Sequence, residues 1–292
     1  MEKFHSLAEW SDLADKYGIS LAEVVVKWEA SVSGRSETEI RNKMQNNLVV
    51  MKKSIEEGLQ KKDATMGGLA NGEAVKVYDA IKNGVIADDR ISRVSYRALA
   101  VGELNAAMGC IVAAPTAGAC GILPATLVTV AEEKNSSDRE LVNALFVAAG
   151  IGIIIAEKAT IAGAEGGCQA ECGSAASMAA GAVVYLNKGT PEQVLDAAAL
   201  ALKSALGLVC DPVAGLVEVP CIKRNAHMAV QALAAADLAL AGVKSIIPAD
   251  EVIGAMSEIG RDMASKYKET SRGGLAVTPT GKRIMEELLG NS

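Results

Sequence analysis

Apolar residues along this chain recur at helical spacing, and no stretch shows the two-residue alternation of a strand bounded by turns. The clearest stripe is Ile40, Met44, Leu48, Met51 and Ile55, which falls on one helix face. Start signals accompany the pattern. Ser6–Glu9, Ser20–Glu23, Ser36–Glu39 and Ser137–Glu140 carry the spacing of a capping box, as does Thr190–Gln193, which has Pro191 at the first helical position. Gly18 and Gly34 stand where left-handed C-caps belong. Further helices are expected from about Ser92 to Gly109, from the Ser137–Glu140 box to about Lys158, from Cys168 to Asn187, from Ile222 to Leu240, from Pro248 to Tyr267, and at the chain end. The prediction is an all-α fold of about ten helices, with buried, small-residue-rich central helices surrounded by amphipathic ones. Residues 1–60 are expected to form a helical arm or subdomain, and residues 61–292 the main helical domain.

Two stretches are apolar enough to raise the question of a membrane. Leu104 to Ala131 carries no formal charge, but Pro115 and Pro124 interrupt it; Ala144 to Ala156 is short and runs straight into Glu157-Lys158. Both are expected to be buried helices rather than spans. Composition agrees: 50% of the 292 residues are hydrophobic but only 3% aromatic, so small aliphatic side chains must fill the core. The net charge of −6 argues against nucleic-acid binding, which needs basic surface. The opening Met-Glu-Lys-Phe-His lacks the apolar run of a signal peptide, which points to a cytoplasmic protein. In that compartment six cysteines bind metal or pack more readily than they pair.

Chemistry is concentrated between Cys168 and Cys221. Cys168 follows a glycine-rich run and opens a helix, Cys210 follows the end of the next helix, and Cys221 opens the one after. Helix N-termini favour the thiolate, the metal-binding form. Three thiolates from three turns can hold three corners of an iron–sulfur cube and leave the fourth iron free. Plain packing is the alternative, because free cysteines are small hydrophobes, and these spacings are not those of a ferredoxin. Cys110, Cys120 and Cys172 are expected to pack. The loop Ala114-Pro115-Thr116-Ala117-Gly118-Ala119 presents backbone N–H groups suited to a carboxylate, or is simply helix punctuation. Thr65-Met66-Gly67-Gly68-Leu69-Ala70-Asn71-Gly72 is a glycine-rich turn that by itself reads as a flexible linker. His5 and His227 are expected at the surface or in packing, and lysines 158, 203 and 223 sit in no pyridoxal-phosphate signature.

The phrases Ala-Pro-Thr116-Ala-Gly-Ala-Cys-Gly, Gly-Ala-Glu165-Gly-Gly-Cys168-Gln-Ala-Glu171 and Cys210-Asp-Pro … Pro-Cys221-Ile-Lys-Arg-Asn resemble the alpha chain of the bacterial iron–sulfur L-serine dehydratases, from about Gly67 to Gly281. The resemblance implies a lyase that eliminates water from L-serine to give pyruvate and ammonia. It implies a [4Fe–4S] cluster on Cys168, Cys210 and Cys221, no pyridoxal phosphate, and a substrate-carboxylate role for Thr116, Gly118 and Ala119. It also implies that the glycine-rich turn from Thr65 to Gly72 is an active-site segment, and that there is a separate beta chain, in a heterodimer or a dimer of heterodimers. Cys172 departs from the family's usual non-cysteine residue. The general base is not identified by any motif; Glu165 and Glu171 flank Cys168 closely and are the candidates. Elimination from threonine or cysteine, or a non-catalytic iron–sulfur protein, are the alternatives.

Overall fold

The computed structural model describes residues 1–60 and 64–290. Thirteen α-helices lie among the described residues, with no named strand; the one β-bridge pairs Cys210 with Lys268. The all-α expectation therefore holds. The helices are α1 (Leu7–Tyr17), α2 (Leu21–Ser33), α3 (Glu37–Gln60), α4 (Glu73–Lys82), α5 (Arg90–Ala106), α6 (Ile122–Lys134), α7 (Asp138–Lys158), α8 (Gly163–Gly166), α9 (Ser174–Leu186), α10 (Pro191–Lys203), α11 (Cys221–Leu240), α12 (Ala249–Asp262) and α13 (Pro279–Leu289).

Helix α9 is the centre. Nearly all of its side chains are buried, and it packs against α6, α7, α10 and α11. Its run of Ala, Ser and Gly lets these neighbours approach: a Cβ on Gly181 would lie 2.4 Å from Ile151 Cδ1 of α7. Helix α7 is the one described helix long and apolar enough to cross a membrane, and 61% of its most apolar window is buried within the protein. The uncharged stretch from Leu104 is broken between α5 and α6 by the irregular segment that carries Thr116. Phe4, ahead of α1, and Trp10 and Val25, on α1 and α2, join the same apolar core as α7 and α9.

Several local expectations change. Glu9 does not close a capping box on Ser6; its carboxylate accepts the N–H of His5 at 2.7 Å, while Ser6 Oγ accepts the N–H of Glu9. The boxes at Ser20, Ser36, Ser137 and Thr190 are complete. Helix α12 stops at Asp262, short of Tyr267, and a separate 3-10 turn covers Ser265–Tyr267. Cys120 is buried, but Cys110 is exposed, because it lies on the irregular segment after α5 rather than inside a helix.

A candidate active site around Cys168, Cys210 and Cys221

Gly167 ends the loop after α8 with φ +75°, where a side chain would be strained, and a Cβ there would strike Met263 Sδ at 2.6 Å. Cys168 follows and caps a single π turn, Gln169–Gly173, that leads into α9. The Gln169 side chain fixes this turn: its carbonyl accepts the Gly207 N–H at 2.9 Å and its amide donates to Met256 O at 3.1 Å. Cys210 is held by the strand-like pairing with the 267–269 segment, donating its N–H to Tyr267 O and accepting from Glu269. Cys221 is the first residue of α11.

The three thiols are free, come from three elements, and stand close enough to act on one another electrostatically. Burial pushes Cys210 up, and the charge of Cys168 and of Cys221 adds to this. Cys221 is pushed up to about 12, again by burial first and by Cys168 second. Cys168 is held below the usual thiol range, chiefly by a hydrogen bond with Cys172 and further by the guanidinium of Arg224. Cys172, buried behind it, is pushed up well above that range by the same bond. For Cys221, at the start of α11, desolvation of the charge outweighs the favourable effect of the helix end in the chain by itself.

Does this donor set suit a cluster? Among the described residues, no group of three or more His, Cys, Asp or Glu forms a site for a metal ion. A cube asks for something else, one thiolate on each of several irons. Three convergent thiols provide that. Gly163 keeps room beside them: a Cβ there would lie 3.2 Å from Cys210 Sγ and 2.7 Å from Glu171 Oε2. The cationic Arg224 stands among them to offset negative charge. The residues fit the group.

Glu171 is half-buried on the π turn. Its Oε1 accepts the Thr116 hydroxyl at 2.8 Å, and burial raises its pKa above the ordinary carboxyl value, making it a weaker acid. Gly118 faces it: a Cβ there would be 3.4 Å from Oε1. Glu165 is exposed and accepts the Thr160 hydroxyl at 2.6 Å. Ala119 is buried and its N–H bonds to Thr116 O; the N–H groups of Thr116, Ala117 and Gly118 have no hydrogen-bond acceptor among the described residues. His5 and His227 are exposed; His5 bonds Glu157 and His227 bonds the carbonyl of Lys223.

Sequence reasoning assigned no role to the polar residues that hold these loops together. Asp211 and Glu218 are buried in the segment that joins Cys210 to α11, and Asn225 is buried in the second turn of α11. Asp211 binds the Arg224 guanidinium at 2.7 Å with one oxygen and the Leu275 N–H at 2.8 Å with the other. Glu218 binds the glycine-rich turn at Thr65 to Leu69. Asn225 accepts the Gly121 N–H at 2.9 Å and donates to Gly118 O at 2.7 Å. One segment thus grips three distant loops. The only signal in the sequence was charge and amide in an otherwise apolar stretch.

The chain matches the family described as serine dehydratase alpha chain over residues 16–276. It is 44% identical to a probable L-serine dehydratase, alpha chain, of Bacillus subtilis, over 99% of this chain and 96% of that one. It is also 44% identical to the L-serine dehydratase, alpha chain, of Peptoniphilus asaccharolyticus, over 95% of this chain and 96% of that one. An L-serine dehydratase of Streptomyces coelicolor is longer: at 42% identity, the match takes in 91% of this chain but 59% of that one.

Proposed function

Since this chain belongs to the serine dehydratase alpha chain family, we propose that it is the alpha chain of an L-serine dehydratase, a lyase that removes water from L-serine. The observation that carries the reading is the convergence of Cys168, Cys210 and Cys221 beside the Glu171–Thr116 pair. These cysteines would hold a [4Fe–4S] cluster, which supplies, when bound, Lewis acidity toward the β-hydroxyl. The substrate carboxylate is received by the N–H groups of Ala117 and Gly118 and by Thr116. Glu171 is the residue assigned to the Cα proton. Its carboxyl is less acidic than an exposed one, which makes its carboxylate a stronger base near neutral pH. Thr116 orients it. Loss of water from serine leaves aminoacrylate, which tautomerises to the imine and takes up water to give pyruvate and ammonia.

A second chain belongs to this proposal. Relatives of the same length are named alpha chains, and the Streptomyces coelicolor relative carries a further part that this chain does not match. Reconstitution with iron and sulfide under nitrogen should give a brown protein that forms pyruvate from L-serine once the beta chain is added. Cys168→Ser, Cys210→Ser and Cys221→Ser should each lose the visible absorbance and the turnover. Full iron content and activity in any one of them would remove that cysteine, and threonine or cysteine outpacing serine would replace the substrate.

A further inference from the structure

The turn between Cys210 and Cys221 carries a carboxylate that the chemistry above does not use. Glu218 is 2% exposed. Buried carboxylates need partners, and this one has three. The Thr65 hydroxyl donates to Oε2 in a short bond, the Gly67 N–H donates to Oε1 at 2.6 Å, and the Leu69 N–H donates to Oε2 at 3.0 Å. Thr65 also closes the turn on itself, since its Oγ1 accepts the Ala70 N–H at 3.2 Å and its N–H donates to Ala70 O at 3.1 Å. The turn is therefore folded around a single carboxylate. Approach is tight: a Cβ on Gly67 would lie 2.3 Å from Leu216 Cδ1 and 3.0 Å from Glu218 Oε1.

Both sides of this turn lead to the site. The carbonyl of Glu218 accepts the Ile222 N–H at 3.1 Å, which joins it to the first turn of α11 beside Cys221. Met66 donates its N–H to Ala106 O at 3.3 Å, at the end of α5, and the neighbouring Asn105 amide donates to Ala117 O at 3.2 Å in the Thr116–Ala119 loop. The turn thus bridges the cysteine segment and the loop assigned to the substrate carboxylate.

We propose that Glu218 is a positioning residue: it clamps the Thr65–Ala70 turn between Cys221 and the Thr116–Ala119 loop and so fixes the width of the serine pocket. This rests on the dehydratase reading of the site. Charge-assisted bonds to two backbone N–H groups and a hydroxyl make the clamp specific for a carboxylate. An amide of the same size replaces one acceptor oxygen with a donor that faces a donor.

The test uses the reconstituted enzyme with its beta chain. Glu218→Gln should raise the KM for L-serine about tenfold while kcat changes less than about threefold, the pattern of lost binding rather than lost chemistry. Visible absorbance per chain should stay unchanged. Amide hydrogen exchange at Gly67 and Leu69 should become about tenfold faster, as expected for removal of a hydrogen bond to a charged group. Thr65→Val removes one donor, keeps the shape, and should raise KM by a smaller factor. Unchanged KM in Glu218→Gln, or a fall in kcat with KM unchanged, overturns the proposal. If Glu218→Gln does not fold, unchanged KM and unchanged exchange in Thr65→Val overturn it. Absence of pyruvate from the unmutated enzyme would instead overturn the dehydratase reading; the exchange rates at Gly67 and Leu69 would then decide the clamp alone.

Discussion

Cys172 lies one π turn from Cys168, and the two thiols share a hydrogen bond. Yet Cys172 is 2% exposed and belongs to the apolar core beneath α9. A buried thiol in such a place behaves as a small hydrophobe. Cys172→Val should therefore keep the brown colour and iron content of the reconstituted protein, at a stability cost of less than about 1.5 kcal/mol in urea unfolding. Loss of the visible absorbance would make Cys172 a ligand and close the fourth position. At this scale the cysteines were legible because their flanking phrases resemble a known family. The residues that aim them were not. Asn225 meets Gly121 across 104 positions and Glu218 meets Thr65 across 153. Periodicity and capping rules see only neighbours a few positions apart, so no local pattern marks such partners.

The same limit applies to elements. Helix α4 has Gly72 at its N-cap and no side-chain cap of its own. Its first N–H groups, of Glu73 and Ala74, donate instead to the buried carboxylate of Glu103 on α5, at 2.7 and 2.9 Å. A cap supplied from another helix leaves no start signal, and α4 was not foreseen. Helices capped by their own sequence, such as α2, α7 and α10, were. Close helix contacts were implied by the scarcity of aromatic residues, and α3 against α5 shows one. An ideal Cβ on Gly58 would stand 2.2 Å from Ala100 O, a backbone atom that cannot step aside. Gly58→Ala should cost about 1–3 kcal/mol by overpacking. Gly254 on the exposed face of α12 has open space around it. Gly254→Ala should stabilise by about 0.5–1 kcal/mol through helix propensity. Urea midpoints measure both, and equal shifts of the same sign would refute the packing account.

Over the whole molecule, surface carboxylates are set against acid. Glu2, Glu39, Asp88, Asp138, Glu140 and Glu157 all lie below their ordinary values. Glu140 is lowered furthest, from 4.5 to about 2, first by Lys188 Nζ at 2.7 Å and then by its capping box with Ser137. A depressed carboxyl contributes stability above its unfolded value and loses it as pH falls through the folded one. The contribution of Glu140 is therefore full above pH 4.5 and fades toward pH 2. Glu140→Gln should lower Tm modestly at pH 6 and leave it unchanged near pH 2, with the gap at pH 6 shrinking in high salt. A gap that is the same at both pH values would show that the residue acts through packing instead.

The three-way grip of the Cys210–Asn225 segment also sets an order of events at birth. The Thr65–Ala70 turn leaves the ribosome 153 residues before the hydroxyl of Thr65 can meet Glu218. At bacterial and eukaryotic synthesis speeds that is roughly 8–30 s. The Thr116–Ala119 loop waits for Asn225, and Asp211 in turn waits 64 residues for Leu275. All three cysteines are translated before that last contact exists. The walls of the proposed site are thus completed late, and until residue 275 has emerged its thiols face surrounding oxidants and stray metal ions without them.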